Sequence, residues 1–177
     1  GTLLTAGGYL LTAVHPAFLW LASAGYVVNW FGDSLDGTLA RYRHIERPRF
    51  GFYIDHTIDA FSEVLIVLSL GLSPLVRFDV ACVALIGYLL LSNLVFIQTC
   101  STGEFRISYG KLGPTEVRLL LILANTLAFF SGNPLLPTPG INLTVFDLIV
   151  AVIAFLLYFF AIQSAVTNTR ALHKLGE

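Results

Sequence analysis

Charge is scarce in this chain, and methionine is missing altogether. Asp, Glu, Lys and Arg make up 12% of the 177 residues. A soluble domain carries roughly a quarter, so an ordinary water-exposed globular fold is excluded. Hydrophobic residues fill 56% of the chain and the mean hydropathy is +0.79, a composition suited to lipid as solvent. A net charge of −1 offers no overall field to attract nucleic acid. The two cysteines, Cys82 and Cys100, lie near opposite ends of one apolar stretch. A helix would hold them about 27 Å apart, beyond the reach of a disulfide, which leaves two buried, inert thiols. With no methionine and Gly1 at the start, the N-terminus reads as trimmed. No signal-peptide pattern, internal repeat or low-complexity segment is visible, so residues 1–177 read as a single transmembrane domain.

The long apolar runs set the architecture: an all-α integral membrane protein, a six-transmembrane-helix bundle with a truncated first helix. Residues 2–14 are apolar but short of the ~20 needed to cross a hydrocarbon core. His15-Pro16 marks a turn, with His15 a solvated turn residue and Pro16 suited to opening a helix. The remaining helices are expected at about 17–44, 50–72, 80–99, 114–130 and 143–168. Polar connections at 43–49 and 101–113, and the proline-broken loop 131–142, separate them. Three regions then share one side of the membrane, 41–49, 101–118 and 168–177. They hold Arg41, Arg43, Arg47, Arg49, Arg106, Lys111, Arg118, Arg170 and Lys174, and only Arg77 lies opposite. The excess of positive charge on cytoplasmic loops places both termini, and any site on that side, at the cytoplasmic face of the inner membrane.

The few acids are not scattered. Residues 33–59, DSLDGTLARYRHIERPRFGFYIDHTID, hold Asp33, Asp36, Asp55 and Asp59. At about 100° per residue, Asp33, Asp36, Gly37, Ala40 and Arg41 share one helix face. Gly51, Asp55 and Asp59 share a face of the next helix, with Glu63 one step further. Two helices thus present carboxylates and small residues to each other at the edge of a membrane. Carboxylates there are costly and are functional candidates. Two pairs of hard oxygen donors suit a divalent cation, Mg²⁺ above all, which keeps open positions for a diphosphate. A single such acid reads as readily as a solvated helix cap, whereas four at matching spacing with interleaved glycines do not.

The complete pattern, D-x2-D-G-x2-A-R-x9-G-x3-D-x3-D, resembles the signature of the CDP-alcohol phosphotransferase (phosphatidyltransferase) family, and all eight of its positions are filled. The resemblance implies a six-helix core and a two-metal site of Mg²⁺ or Mn²⁺ built from Asp33, Asp36, Asp55 and Asp59. It also implies transfer of a phosphoalcohol or phosphatidyl group to an acceptor hydroxyl with release of CMP, in phospholipid biosynthesis. Gly37, Ala40, Arg41 and Gly51 would then face the nucleotide, and Asp59 is the usual candidate base. Asp55-His56 followed by Asp59, and Gly113-Pro114-Thr115-Glu116, are similar to the choline and ethanolamine phosphotransferase branch, in which a histidine and a glutamate activate a lipid hydroxyl. A histidine oriented by a carboxylate is better matched to that task than a metal-bound aspartate. His56 reads equally as an interfacial side chain on a carbonyl, and Glu116 as a first-turn acid favoured by the helix dipole.

Two choices stay open at this point. The base is Asp59 or His56, and the donor is a CDP-aminoalcohol used with diacylglycerol or CDP-diacylglycerol used with a small polar acceptor. Lys111, with Arg106 and Arg118 near it, suits a phosphate-bearing acceptor or simply fixes topology. A membrane transporter using the acids as an ion path is one rival, but it leaves the Gly37, Ala40 and Arg41 spacing unexplained. A Mg²⁺-diphosphate prenyltransferase is another, but it calls for more helices and acidic motifs far apart in sequence. A homodimer is expected from the resemblance, with Phe155, Tyr158, Phe159 and Phe160 of the last helix supplying apolar surface that lipid alone would also cover.

Overall fold

In the computed structural model the described residues are 1–44, 47–102, 114–137 and 142–174. Asp36, Gly37, Ala40, Arg41, Pro48, Thr102, Pro114 and Lys174 are described in backbone alone. They form six helices: α1 Thr2–Leu11, α2 Phe18–Tyr42, α3 Pro48–Leu72, α4 Phe78–Thr102, α5 Pro114–Ser131 and α6 Val145–Lys174. Pro48 opens α3 at a position whose amide hydrogen would have no intrahelical partner. Ser73 closes α3 in extended backbone, and its hydroxyl donates back to the Leu70 carbonyl at 2.6 Å. At the end of α5, Gly132 and Asn133 take left-handed backbone, φ 71° and 50°, which glycine and asparagine tolerate best.

The start of α6 is fastened by a reciprocal cap. The Asp147 amide donates to Thr144 Oγ1 at 3.0 Å, and the Thr144 amide donates to Asp147 Oδ2 at 2.8 Å. Asp147 also accepts the Arg77 amide at 2.7 Å, so one buried carboxylate ties the α3–α4 turn to α6. Asn133 joins the same junction, donating to the Leu75 carbonyl at 2.9 Å and accepting the Phe146 amide at 3.0 Å. At this end of the bundle Asp79 grips Arg77 through two hydrogen bonds of 3.0 and 2.6 Å, which raise the arginine above its ordinary pKa.

Small residues let the helices close. A Cβ added at Gly8 would stand 2.5 Å from the Ala22 amide nitrogen, and one at Gly25 would strike Thr5. α1 therefore lies directly on α2, and it also packs on α3. α4 packs on α3 and, most extensively, on α6, while α5 backs α2 and touches α6. Where α1, α2 and α5 meet, Tyr9 donates to Asn125 Oδ1 at 3.1 Å and lies 3.3 Å from the Tyr26 hydroxyl. Asn125 Nδ2 donates to Ser23 Oγ at 3.1 Å. Inter-helix hydrogen bonds of this kind hold apolar bundles together where hydrophobic sorting is weak.

Large apolar side chains cover the outside, Leu3, Val14, Phe61, Phe130 and Phe155 among them. Among the described residues two helices are long and apolar enough to cross a membrane by themselves, Phe78–Ser101 and Val145–His173. That is fewer than the six crossings expected from hydropathy, because α3 carries Arg49, Asp55, Asp59 and Glu63 and α2 carries Asp33, Asp36 and Arg41. The expected boundaries hold to within a few residues, except that α6 runs on to Lys174. Both cysteines are free, as distance required, but Cys100 is exposed and Cys82 half-buried. The expectation of two buried thiols is corrected: α4 turns Cys100 outward near its C-terminal end.

Candidate active site

Among the described residues α2 and α3 do not pack against one another. α1 lies against both and separates them, leaving a cleft between the two acid-bearing helices. Asp33 of α2 and Asp55 and Asp59 of α3 are all exposed. Asp59 lies within electrostatic range of Asp33 across the cleft, of Asp55 and His56 on its own helix, and of Arg118 on α5. The i, i+4 spacing of Asp55 and Asp59 sets both on one face of α3, as the stripe required. A Cβ added at Gly51 would meet nothing within 4 Å, so the glycine borders open space one turn before Asp55. Asp36, Gly37, Ala40 and Arg41 lie on α2 by backbone, and their side chains are outside the described residues, as is Lys111 altogether.

Arg118 closes the cleft from the α5 side. Its guanidinium forms an ion pair with Asp33 Oδ2. The Arg118 side chain is 18% exposed and that of Asp33 47%, so the pair is partly open to solvent. A cation thus already stands against one of the candidate metal ligands. The donor set is chemically right for a divalent ion, since carboxylate oxygens are what Mg²⁺ and Mn²⁺ prefer. The described acids are not drawn into a finished shell: among the described residues no three His, Cys, Asp or Glu side chains converge closely enough to hold a metal.

His56 is half-buried on α3. Its Nδ1 lies 2.7 Å from the Phe52 carbonyl, and the ring stacks at 4.2 Å on Phe52 and edges on Phe96 at 5.5 Å. A carbonyl only accepts, so Nδ1 carries the proton, and in the neutral ring Nε2 carries the lone pair. The bond to Phe52 is the interfacial contact expected for this side chain, and it also fixes the tautomer a base needs. Glu116 is exposed in the first turn of α5, where the helix dipole favours it.

Arg118, whose charge in the sequence suits topology or phosphate binding, pairs with Asp33, a partner that nothing local in the sequence signals. Glu63 extends the α3 stripe and is half-buried there, within electrostatic range of Arg118 and Asp59.

Comparison with known proteins fits this geometry. The CDP-alcohol phosphatidyltransferase family model matches residues 2–167. Archaetidylinositol phosphate synthase of Pyrococcus horikoshii is 37% identical over 130 residues, covering 70% of this chain and 67% of that protein. An uncharacterized protein of Aquifex aeolicus is 29% identical over 153 residues, covering 82% and 78%. With the match spanning nearly the whole chain and an acid-lined cleft where the signature falls, this protein belongs to the CDP-alcohol phosphatidyltransferase family and is a transferase of phosphate-containing groups.

Proposed function

We propose that the chain transfers a phosphatidyl-type group from a CDP-activated glycerolipid to a hydroxyl of a small phosphorylated polyol, releasing CMP. The observation that carries this reading is the cleft itself: Asp33 and Asp59 on two separated helices, coupled across open space, with a cation drawn to one of them. The likeness to archaetidylinositol phosphate synthase of Pyrococcus horikoshii favours a lipid donor with a polyol phosphate over the CDP-aminoalcohol alternative. Asp33, Asp36, Asp55 and Asp59 would hold Mg²⁺ or Mn²⁺. Bound there, the metal would neutralise charge on the donor's diphosphate and on the departing CMP.

The protein's own part is positioning and proton transfer. Gly37, Ala40, Arg41 and Gly51 line the nucleotide's place, and the open space beside Gly51 supports close approach from α3. The acceptor oxygen attacks the phosphorus that carries the lipid alcohol, the bond from that phosphorus to the CMP oxygen breaks, and the acceptor's proton leaves to a base. His56 Nε2 suits that role, because the Phe52 bond holds the lone pair on that nitrogen and Asp59 would be committed to the metal when one is bound. Glu116 orients and charge-stabilises the imidazole in this scheme. Lys111 binds the acceptor's phosphate.

By the positive-charge excess, the cleft opens at the cytoplasmic face of the inner membrane; six helices crossing the bilayer and a homodimer are part of the same reading, the first from hydropathy and the second from the family resemblance. The test of the reaction is CMP release from the purified protein, across CDP-lipid and CDP-aminoalcohol donors, each with phosphorylated and plain polyols. CMP released only with a CDP-lipid and a phosphorylated polyol is expected. Release with CDP-choline and diacylglycerol instead would reverse the choice of donor.

A further inference from the structure

The polar core where α1, α2 and α5 meet has no part in the reaction above, yet its hydrogen bonds run in one direction. Ser23 Oγ donates to the Leu19 carbonyl at 2.9 Å, so it accepts from Asn125 Nδ2 at 3.1 Å. Asn125 Oδ1 accepts the single hydroxyl proton of Tyr9 at 3.1 Å. The Tyr26 hydroxyl, 3.3 Å away, is then the donor to Tyr9. This chain starts and ends on α2, and Asn125 is what α5 contributes to it among the described residues. Asn125 is 1% exposed and Tyr9 wholly buried, so each group depends on the next for its partner.

The same two helices meet again at the cleft, through Arg118 of α5 and Asp33 of α2. Arg118 lies two turns before Asn125 on the same face of α5, and Asp33 lies ten residues after Ser23 on α2. These separations are about 10.5 Å along α5 and about 15 Å along α2, and the length of the arginine side chain makes up the difference. Beside the polar chain, Trp20 of α2 stands edge-on to Phe129 and Phe130 of α5, 5.6 and 6.4 Å between ring centres. Apolar contacts in lipid resist sliding along the helix axis only weakly, whereas one buried asparagine can fix the register of apolar helices. A slip of α5 by one turn, about 5.4 Å, would carry the guanidinium away from Asp33. We propose that Asn125 is a positioning residue for the cleft: its bonds to Tyr9 and Ser23 set the α2–α5 register that holds Arg118 against Asp33. Its effect on transfer rests on the reading of the cleft as the place of reaction.

The test is a thermal double-mutant cycle on the full chain in lipid nanodiscs, with chelator present, which reads the pair without turnover. Arg118→Gln, Asp33→Asn and the two together give the coupling between these side chains, expected as a melting-temperature difference of about 1–4 °C. On an Asn125→Leu background the coupling is expected to vanish, and on the milder Ser23→Ala background to shrink. Asp147→Ala, which loosens the junction beyond the other end of α5, is expected to leave it at the wild-type value. That control separates a lost register from a general loss of stability. Coupling undiminished by Asn125→Leu, lost equally in Asp147→Ala, or absent from the wild type overturns the proposal. If Asn125→Leu does not fold, Ser23→Ala decides, and undiminished coupling there overturns it. CMP release is the second arm: Asn125→Leu and Arg118→Gln are each expected to lower kcat/KM by about 10- to 100-fold, with the double variant no slower than Arg118→Gln alone. Effects that multiply overturn the claim that Asn125 acts through Arg118. Wild type that releases no CMP from any donor overturns the proposed function, and the thermal cycle then decides the register by itself.

Discussion

Gly8→Ala puts the geometry of the cleft under direct strain. The new Cβ would stand 2.5 Å from the Ala22 nitrogen and 2.8 Å from its Cα. These are backbone atoms that cannot rotate aside, so α1 and α2 must part by roughly 1 Å to restore ordinary contact near 3.5–4.0 Å. Overpacking of this sort costs about 1–3 kcal/mol. At about 2–4 °C per kcal/mol for a chain of this size, the melting temperature should fall by about 2–12 °C. Because α1 separates α2 from α3, the shift should also disturb the spacing of Asp33 and Asp59 and lower CMP release. Gly7 is the internal control, since a Cβ there meets nothing within 4 Å, and Gly7→Ala should melt with wild type or slightly above it. Both tryptophans, Trp20 and Trp30, lie on α2, so their fluorescence during heating in detergent reports the helix that must move. A Gly8→Ala protein melting within about 1 °C of wild type, or a Gly7→Ala protein falling as far, would refute the close approach of α1 and α2.

Asp33→Asn and Asp55→Asn should each abolish transfer while the helical content in detergent persists, since an amide keeps the shape but loses the charge a divalent ion needs; near-normal CMP release from either removes that acid from the metal set. His56→Gln should lower turnover by about 10² to 10⁴ with little change in CDP-lipid binding, and Glu116→Gln should lower it less. Wild-type turnover by His56→Gln across pH 6 to 9 would return the role of base to Asp59. Asp147→Ala leaves the Arg77 and Thr144 amides without their acceptor and should cost about 1–3 kcal/mol, read as a lower melting temperature at unchanged Mn²⁺ affinity. An undiminished melting temperature would mean that water serves those amides equally well.

The helices themselves were legible because apolar run length and proline placement act locally: Pro48 and Pro114 stand where α3 and α5 begin. The acid stripes were legible for the same reason, helical periodicity being a property of neighbouring residues. Pairings between distant helices were not. Nothing local in Tyr9, Tyr26 or Asn125 signals that α1, α2 and α5 converge on a shared hydrogen-bonded core. Likewise, the charge of Arg118 is explained as well by topology as by an ion pair to a residue 85 positions earlier. The sequence brought α2 and α3 face to face, but the small residues that draw α1 onto α2, Gly8 and Gly25, lie outside the signature. Their effect is to hold the acids across a gap rather than in contact. Glu63 continues the visible stripe and is half-buried one turn beyond Asp59.

The most direct measurement is CMP released from a CDP-activated glycerolipid by the purified protein, with a phosphorylated polyol as acceptor, in Mg²⁺ and again after chelation. The expected result is CMP formed in step with phospholipid product in Mg²⁺, none after chelation, and recovery on adding Mg²⁺ or Mn²⁺ back. Equal CMP release in the presence of chelator would contradict an acid-lined cleft that works by holding divalent cations.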